Sequence, residues 1–378
     1  MMPRTIIKFD RVSKVFPEGT RAVDGVSLEI FDGECVTFVG PSGCGKTTTV
    51  KLLNRLVEPT GGSIYLNGED TARADVITLR RNIGYVIQDV GLFPHMTVSQ
   101  NIALVPRLQG WPERKRRERT EELLQLVSLD PDAYRDRYPH QLSGGQKQRV
   151  GVARGLAADP PVILMDEPFG ALDPITRAQL QDEFLRLRTR LKKVILFVTH
   201  DMDEAIKLGD RIAVMRGGRI AQFDSPRKIL REPADSFVRD MVGREGGIKL
   251  MKLLRIADIM DPADDMMIPE DRLPEAGRKM ADTGRDILIV VDREGRFQGT
   301  LSYERVVRGD RPCDASLLDR CTPAETGDEV GATLEALLRQ KRIWMPVVGE
   351  DRKLRGIVTL THFACFFTTG GASVGGTS

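Results

Sequence analysis

The chain has 378 residues, 41% hydrophobic and 29% charged, which leaves room for two domains in a composition ordinary for a soluble globular protein. Its net charge of +2 gives no excess of either sign from which to infer a nucleic-acid or acidic partner. Five cysteines (Cys35, Cys44, Cys313, Cys321 and Cys365) include no Cys-x-x-Cys pair, so they read as small buried apolar residues in a reducing compartment, not as a disulfide framework.

The opening stretch MMPRTIIKFD shows no long apolar run and no signal-peptide pattern. Short β-type runs follow at Ile6–Phe9, Val26–Ile30 and Cys35–Val39, punctuated by Gly25 and by Asp32–Gly33. A glycine-rich loop at 40–45 leads into a helix expected from Lys46 to about Leu56. Residues 113–127 read as a charged helix, and the strand-like runs Val162–Met165 and Val194–Val198 flank a long helical pattern at 174–192. This alternation predicts a mostly parallel sheet with crossover helices. The apolar runs, such as Val194–Val198 and Ile287–Val291, are too short to span a bilayer, so work at a membrane would require a docking partner. The stretch 241–250 reads as a linker, after which RDILIVVDREGRFQG (Arg285–Gly299) and RIWMPVVGEDRKLRG (Arg342–Gly356) form a weak repeat at an offset of 57. Each copy follows a helical pattern, at about 273–283 and 329–340, and ends in a strand-like run with a hydroxyl. The tail at 367–378 is rich in Gly, Ser and Thr and is expected to be disordered.

Gly40-Pro41-Ser42-Gly43-Cys44-Gly45-Lys46-Thr47, followed by Thr48, fits G-x-x-x-x-G-K-[ST]. Glycines let successive N–H groups face inward, and with the positive end of the next helix they cradle polyphosphate. Lys46 is placed to reach the β- and γ-phosphates of ATP and Thr47 to offer its hydroxyl to Mg²⁺. Val162-Ile163-Leu164-Met165-Asp166-Glu167 delivers two acids at a strand's C-terminal end, Asp166 for Mg²⁺ through water and Glu167 as general base.

Leu142-Ser143-Gly144-Gly145-Gln146 lies between these motifs, and here the chain resembles the ABC ATPase family over roughly residues 5–235. Ser143 with two glycines at a helix start is a second anion-binding nest. The resemblance implies a P-loop NTPase of α/β class, residues 1–240, with a helical subdomain at about 89–160. It also implies a head-to-tail pair in which Ser143, Gly144, Gly145 and Gln146 of one subunit cap the ATP of the other. Phe16 then matches an adenine-stacking aromatic. Gln88 matches the glutamine that senses Mg²⁺ and γ-phosphate, Asp173 matches a loop facing the opposite subunit, and His200 matches a histidine that bonds γ-phosphate and attacking water. His95 and His140 carry no assigned chemistry.

The segments NRLVEPTGGSIYLNGED, LRRNIGYVIQDVGLFPHMTVSQNIALVP and PFGALDPITR are similar to importer ATPases for glycine betaine, carnitine, choline and proline betaine. The repeat resembles the tandem CBS module of these osmoprotectant ATPases, at residues 251–366. Together they imply an ATP hydrolase on the cytoplasmic face of the plasma membrane, partnered by permease subunits and an extracytoplasmic substrate-binding protein. Uptake of another small solute, such as an amino acid, is the alternative. Arg305 and His362 stand where CBS repeats commonly place a ribose-binding Asp, which leaves a nucleotide, a cyclic dinucleotide, ionic-strength sensing or plain dimerisation open. A soluble ATPase acting on nucleic acid is a further reading. Its nearest support, the basic run Arg114–Arg119, is followed by Glu121 and Glu122 and reads as a solvated helical face.

Overall fold

Alternating apolar residues give the first strands one buried face. In a computed structural model that describes residues 4–88, 90–170, 172–308 and 315–368, β1 (Thr5–Val15) and β2 (Arg21–Phe31) pair antiparallel. Ile7 lies opposite Ile30, Phe9 opposite Leu28 and Val12 opposite Val26, all six buried. β3 (Cys35–Val39) leaves this sheet; β4 (Gly61–Leu66) and β5 (Glu69–Asp70) complete it in the order β2-β1-β4-β5.

The second sheet joins β3 to β6 (Ile83–Val86), β7 (Val162–Asp166), β8 (Val194–Thr199), β9 (Arg211–Arg216) and β10 (Arg219–Asp224), ordered β10-β9-β3-β8-β7-β6. Every residue of β3, β7 and β8 is buried, the pattern of parallel strands covered on both faces. The β9–β10 pair alone in this sheet is antiparallel. The helices of this part are α1 (Lys46–Leu53), α2 (Val76–Arg81), α3 (Val98–Ile102), α4 (Leu104–Leu108), α5 (Glu113–Leu126), α6 (Pro131–Tyr134), α7 (Gly144–Leu156), α8 (Pro174–Leu191) and α9 (Met202–Leu208). The helix expected to reach Leu56 stops at Leu53, because Asn54 caps it and Arg55 turns left-handed at φ 46°. Helices α3 to α7 fill the interval between β6 and β7. The basic run on α5 carries the ion pairs Arg114–Glu118, Arg117–Glu121 and Arg119–Glu122.

The chain divides into two units, Met1–Ile229 with Pro233–Met241 and Leu230–Glu232 with Val242–Ser378. Two short helices, α10 (Pro226–Arg231) and α11 (Ser236–Val242), precede α12 (Gly246–Leu253), so much of 241–250 is helical. In the second unit each repeat becomes a short strand, a helix and a hairpin. β11 (Met267–Pro269), α13 (Ala276–Thr283), β12 (Ile287–Val291) and β13 (Phe297–Ser302) form the first, followed by α14 (Tyr303–Arg308). β14 (Ala324–Glu325), α15 (Val330–Arg339), β15 (Trp344–Val348) and β16 (Leu354–Thr359) form the second, followed by α16 (Leu360–Thr368). Ile287 pairs with Ser302 as Trp344 pairs with Thr359, which carries the 57-residue offset into hairpin register. The tail expected from 367 begins inside α16, and residues 369–378, like Cys313, lie outside the described residues. Cys35 and Cys44 are buried, and burial pushes the Cys35 thiol pKa up to about 12; Cys321 and Cys365 are only half-buried. No helix among the described residues is long and apolar enough to cross a membrane.

Candidate functional site

Parallel register puts the C-terminal ends of four strands on one edge. Val39 lies beside Thr199, Asp166 beside Val198 and Val86 beside Met165, so the residues that follow each strand emerge together. From β3 comes the glycine loop. A Cβ on Gly40 would lie 2.3 Å from the Met215 carbonyl oxygen, and one on Gly45 (φ 107°) 2.2 Å from that of Ala22. Both neighbours are backbone, so glycine alone fits at either place. The loop closes with the Cys44 N–H donating to the Pro41 oxygen at 3.2 Å, and the Gly218 N–H donating to the Cys44 oxygen at 3.0 Å. Ser42 and Gly43 are exposed, and Thr48 is half-buried one turn into α1.

Lys46, 4% exposed, folds its amine back over the loop and donates to the Gly40 oxygen at 2.7 Å and the Pro41 oxygen at 3.0 Å. Thr47 Oγ1 donates to Asp166 Oδ1 at 2.8 Å, joining two residues 119 positions apart. Tyr85 donates its hydroxyl to Asp166 Oδ2 at 3.4 Å. Burial raises the Asp166 carboxyl pKa above its ordinary value; the Thr47 hydrogen bond opposes this and the charge of Glu167 adds to it.

Glu167 turns off β7 at φ 46°, an uncommon conformation for a residue with a side chain. Its N–H is held by the Val198 oxygen at 3.0 Å, and Phe169 anchors the turn, 3% exposed, with its ring 5.7 Å from Phe197 and 6.3 Å from Phe184. The Glu167 carboxylate gathers two more sequence candidates on one oxygen: Gln88 Nε2 donates to Oε2 at 3.4 Å, and His200 Nδ1 lies 3.2 Å from it. Oε1 has no hydrogen bond among the described residues, so it remains an acceptor. Lys46, Thr47, Asp166, Glu167, Gln88 and His200 therefore share one edge of the sheet.

Ser143 and Asp173 form a different cluster. Ser143 caps α7, accepting from the Gln146 N–H at 3.3 Å, while Gln146 Oε1 accepts from the Ser143 N–H at 2.9 Å. Asp173 caps α8, accepting from the Thr176 N–H at 3.0 Å, with Pro174 at the first helical position. The Thr176 hydrogen bonds hold the Asp173 carboxyl pKa below its ordinary value. Gly144 faces Leu172 and Gly145 faces Thr176, so the two helix starts abut. Glu167 and the α8 start are joined through Gly170, whose N–H donates to the Glu167 oxygen at 3.1 Å and whose oxygen accepts from Arg177 Nη2 at 3.4 Å, whereas among the described residues no hydrogen bond runs from Ser143 or Gln146 to Lys46, Thr47, Asp166 or Glu167. Phe16 is half-buried in the turn from β1 to β2, with the Lys14 amine 5.3 Å from its ring, and this turn leads to the Ala22 carbonyl against Gly45. His95 packs edge-on to Phe93 and His140 stacks on Tyr138, outside both clusters.

Motif reading passed over Tyr85, Ala22 and Gly218. Tyr85 had one usable signal, its place near the end of the strand that precedes Gln88; burial pushes its hydroxyl pKa well above the usual phenol range. The contacts of Ala22 and Gly218 arise from tertiary approach of backbone and leave no mark in local sequence.

The ABC transporter family model matches residues 23–170, and the CBS domain model matches 325–366. The glycine betaine/carnitine/choline transport ATP-binding protein OpuCA of Bacillus subtilis is 48% identical over 359 residues, 94% of each chain. The osmoprotectant import ATP-binding protein OsmV of Salmonella typhimurium is 43% identical, covering 97% of each chain. Among solved structures, the dimeric post-hydrolysis state of the ATP-binding cassette MJ0796 bound to ADP and Pi aligns with a TM-score of 0.54 at 33% identity, over 58% of this chain and 99% of that one. Sheet edge, capped signature helix and near full-length identity agree: the chain belongs to the ATP-binding proteins of ABC transporters, in the branch that pairs the ATPase with a CBS domain.

Proposed function

We propose that this subunit energises import of a quaternary amine osmoprotectant, and that its Lys46–Glu167 edge is one half of a shared ATP site. As an ABC transporter ATPase the chain binds ATP and couples its hydrolysis to transport through permease partners. The loop N–H groups and Lys46 bind the β- and γ-phosphates. Thr47, Asp166 and Gln88 would hold Mg²⁺ when it is bound with the nucleotide. Few protein ligands plus substrate phosphates is how Mg²⁺ is commonly held, and the ion neutralises charge on the phosphates. Glu167 orients the attacking water through Oε1 and takes its proton, while His200 steadies the carboxylate and faces the γ-phosphate. Phe16 stacks on adenine. Ser143, Gly144, Gly145 and Gln146, with Asp173 beside them, serve the ATP of a second copy arranged head to tail. In support, Ser143 and Gln146 make no hydrogen bond, among the described residues, to the edge they would complete.

The observation that carries the catalytic reading is the Glu167 carboxylate, with Gln88 and His200 on one oxygen, beside the Thr47–Asp166 pair. The solute class rests on the relatives named for glycine betaine, carnitine and choline transport. The subunit works on the cytoplasmic side of the inner membrane with an extracytoplasmic binding protein delivering the amine, a reading supported by the relatives named for osmoprotectant import. ATP-driven uptake by the subunit reconstituted with its permease tests this: labelled glycine betaine or choline accumulates and amino acids do not. Accumulation of an amino acid alone would overturn the solute class and leave the ATPase reading intact.

The C-terminal module regulates uptake without holding a ribose through a carboxylate. Supporting this, Arg305 pairs with Asp319 at 2.5 Å and His362 Nε2 lies 3.0 Å from Asp261 Oδ2, so both positions carry a nitrogen side chain already engaged by a carboxylate. Removing residues 251–378 and measuring uptake against ionic strength and cyclic dinucleotide checks it; an unchanged response rejects regulation.

A further inference from the structure

Two residues beyond Gln88, the backbone at Val90 and Gly91 is fixed from one side. Arg154, in the last turn of α7, donates from Nη2 to the Val90 oxygen at 2.5 Å and from Nη1 to the Gly91 oxygen at 2.6 Å. No carboxylate among the described residues pairs with this guanidinium, and burial lowers its pKa. Among the described residues, this half-buried cation is thus engaged by two backbone carbonyls. The turn resists its own geometry: Val90, β-branched, sits at φ 55° and Gly91 at φ 54°, with the Val90 N–H donating to the Ile87 oxygen at 3.1 Å. Two successive left-handed residues, one of them valine, persist only when surroundings hold them. On α7, Gly151 makes room, since a Cβ there would lie 2.7 Å from Val90 Cγ1. Side chain and carbonyls of the turn are therefore both seated on α7. Gln88, next to this turn, reaches Glu167 Oε2 at 3.4 Å, a contact that a small shift would break.

We propose that Arg154 is a positioning residue for ATP hydrolysis. Its two-pronged hold on Val90 and Gly91 sets Gln88 against the Glu167 carboxylate. Ser143 caps the start of the same helix, about 16 Å away by helical rise, so one helix carries both the signature and the seat of Val90 and Gly91. The proposal rests on the reading of Gln88 and Glu167 given above, and it adds a residue that touches neither nucleotide nor reacting atoms.

The test is a double-mutant cycle in the assembled transporter, reading kcat and KM for ATP in Arg154→Lys, Gln88→Ala and the pair. Lysine keeps the charge but lacks the planar fork that spans two carbonyls. Each single change is expected to lower kcat about tenfold or more with KM within about twofold, as for misplacement of a catalytic geometry. The pair is expected to be no slower than Gln88→Ala alone. Gly151→Ala displaces Val90 while leaving the guanidinium intact; it should give the same pattern and stands in if Arg154→Lys does not fold. Losses that multiply in the pair, a loss carried by KM, or wild-type kcat in Arg154→Lys overturns the proposal and leaves Gln88 its role. Wild-type kcat in Gln88→Ala removes that role and the proposal with it.

Discussion

Asp166 illustrates how function sets a residue against stability. Its carboxylate is 5% exposed and adjoins Glu167, and burial raises its pKa. The folded chain binds that proton more tightly than the unfolded chain does. Its contribution to stability is therefore greatest at low pH and declines as pH rises from the ordinary carboxylate value through the raised one. Asp166→Asn keeps an acceptor for Thr47 and removes the charge. Thermal melting at neutral pH should show Tm raised by about 2 °C or more, with this pH slope flattened and ATP turnover lost. At Gly45 the conflict is steric: Gly45→Ala sets a methyl against the Ala22 carbonyl at φ 107° and should abolish nucleotide binding, read by titration with a fluorescent ATP analogue. That Lys46, Thr47, Asp166 and Glu167 come to one sheet edge was legible from sequence because phosphate chemistry dictates residue types at fixed spacing. The left-handed Glu167 and the hydroxyl of Tyr85 were not, since both depend on what β8 and β6 bring alongside.

Among elements, continuous apolar runs announced β3, β7 and β8, and a parallel sheet followed from their alternation with helices. The length of β1 and β2 did not follow, because their polar halves pair through backbone groups that side-chain pattern does not record. The antiparallel β9–β10 hairpin was equally silent. The repeat offset was visible as sequence and returned as hairpin register, since β12 and β15 are buried almost throughout and a slipped pairing would displace every packed side chain. Where α7 meets β6, backbone touches backbone: a Cβ on Gly84 would lie 2.2 Å from the Gly155 oxygen. Gly84→Ala must separate them, at a cost of about 1–3 kcal/mol. Denaturant unfolding should show the loss as a lower midpoint with unchanged slope. An unchanged midpoint would mean the contact yields freely.

At the scale of the whole molecule, the chain comprises an ATPase unit and a paired repeat, and the proposed function divides the ATP chemistry again between copies. Ser143 stands at the start of α7 and Glu167 at the end of β7, and in the proposed arrangement one copy supplies complementary halves and not one whole. A mixed pair, Lys46→Ala in one copy and Ser143→Arg in the other, places both defects in one shared site and leaves the other site intact. It should hydrolyse ATP, whereas pairs of identical variants should not; silence in the mixed pair would contradict an arrangement in which each site is independent. The solute was legible only through resemblance, because no residue of this subunit need touch it. The claim on which the rest depends is that Glu167 activates the attacking water. Steady-state hydrolysis by Glu167→Gln in the assembled transporter tests it most directly: ATP binding should persist while turnover falls on the order of 10²-fold or more. Turnover near that of the unaltered protein would contradict it.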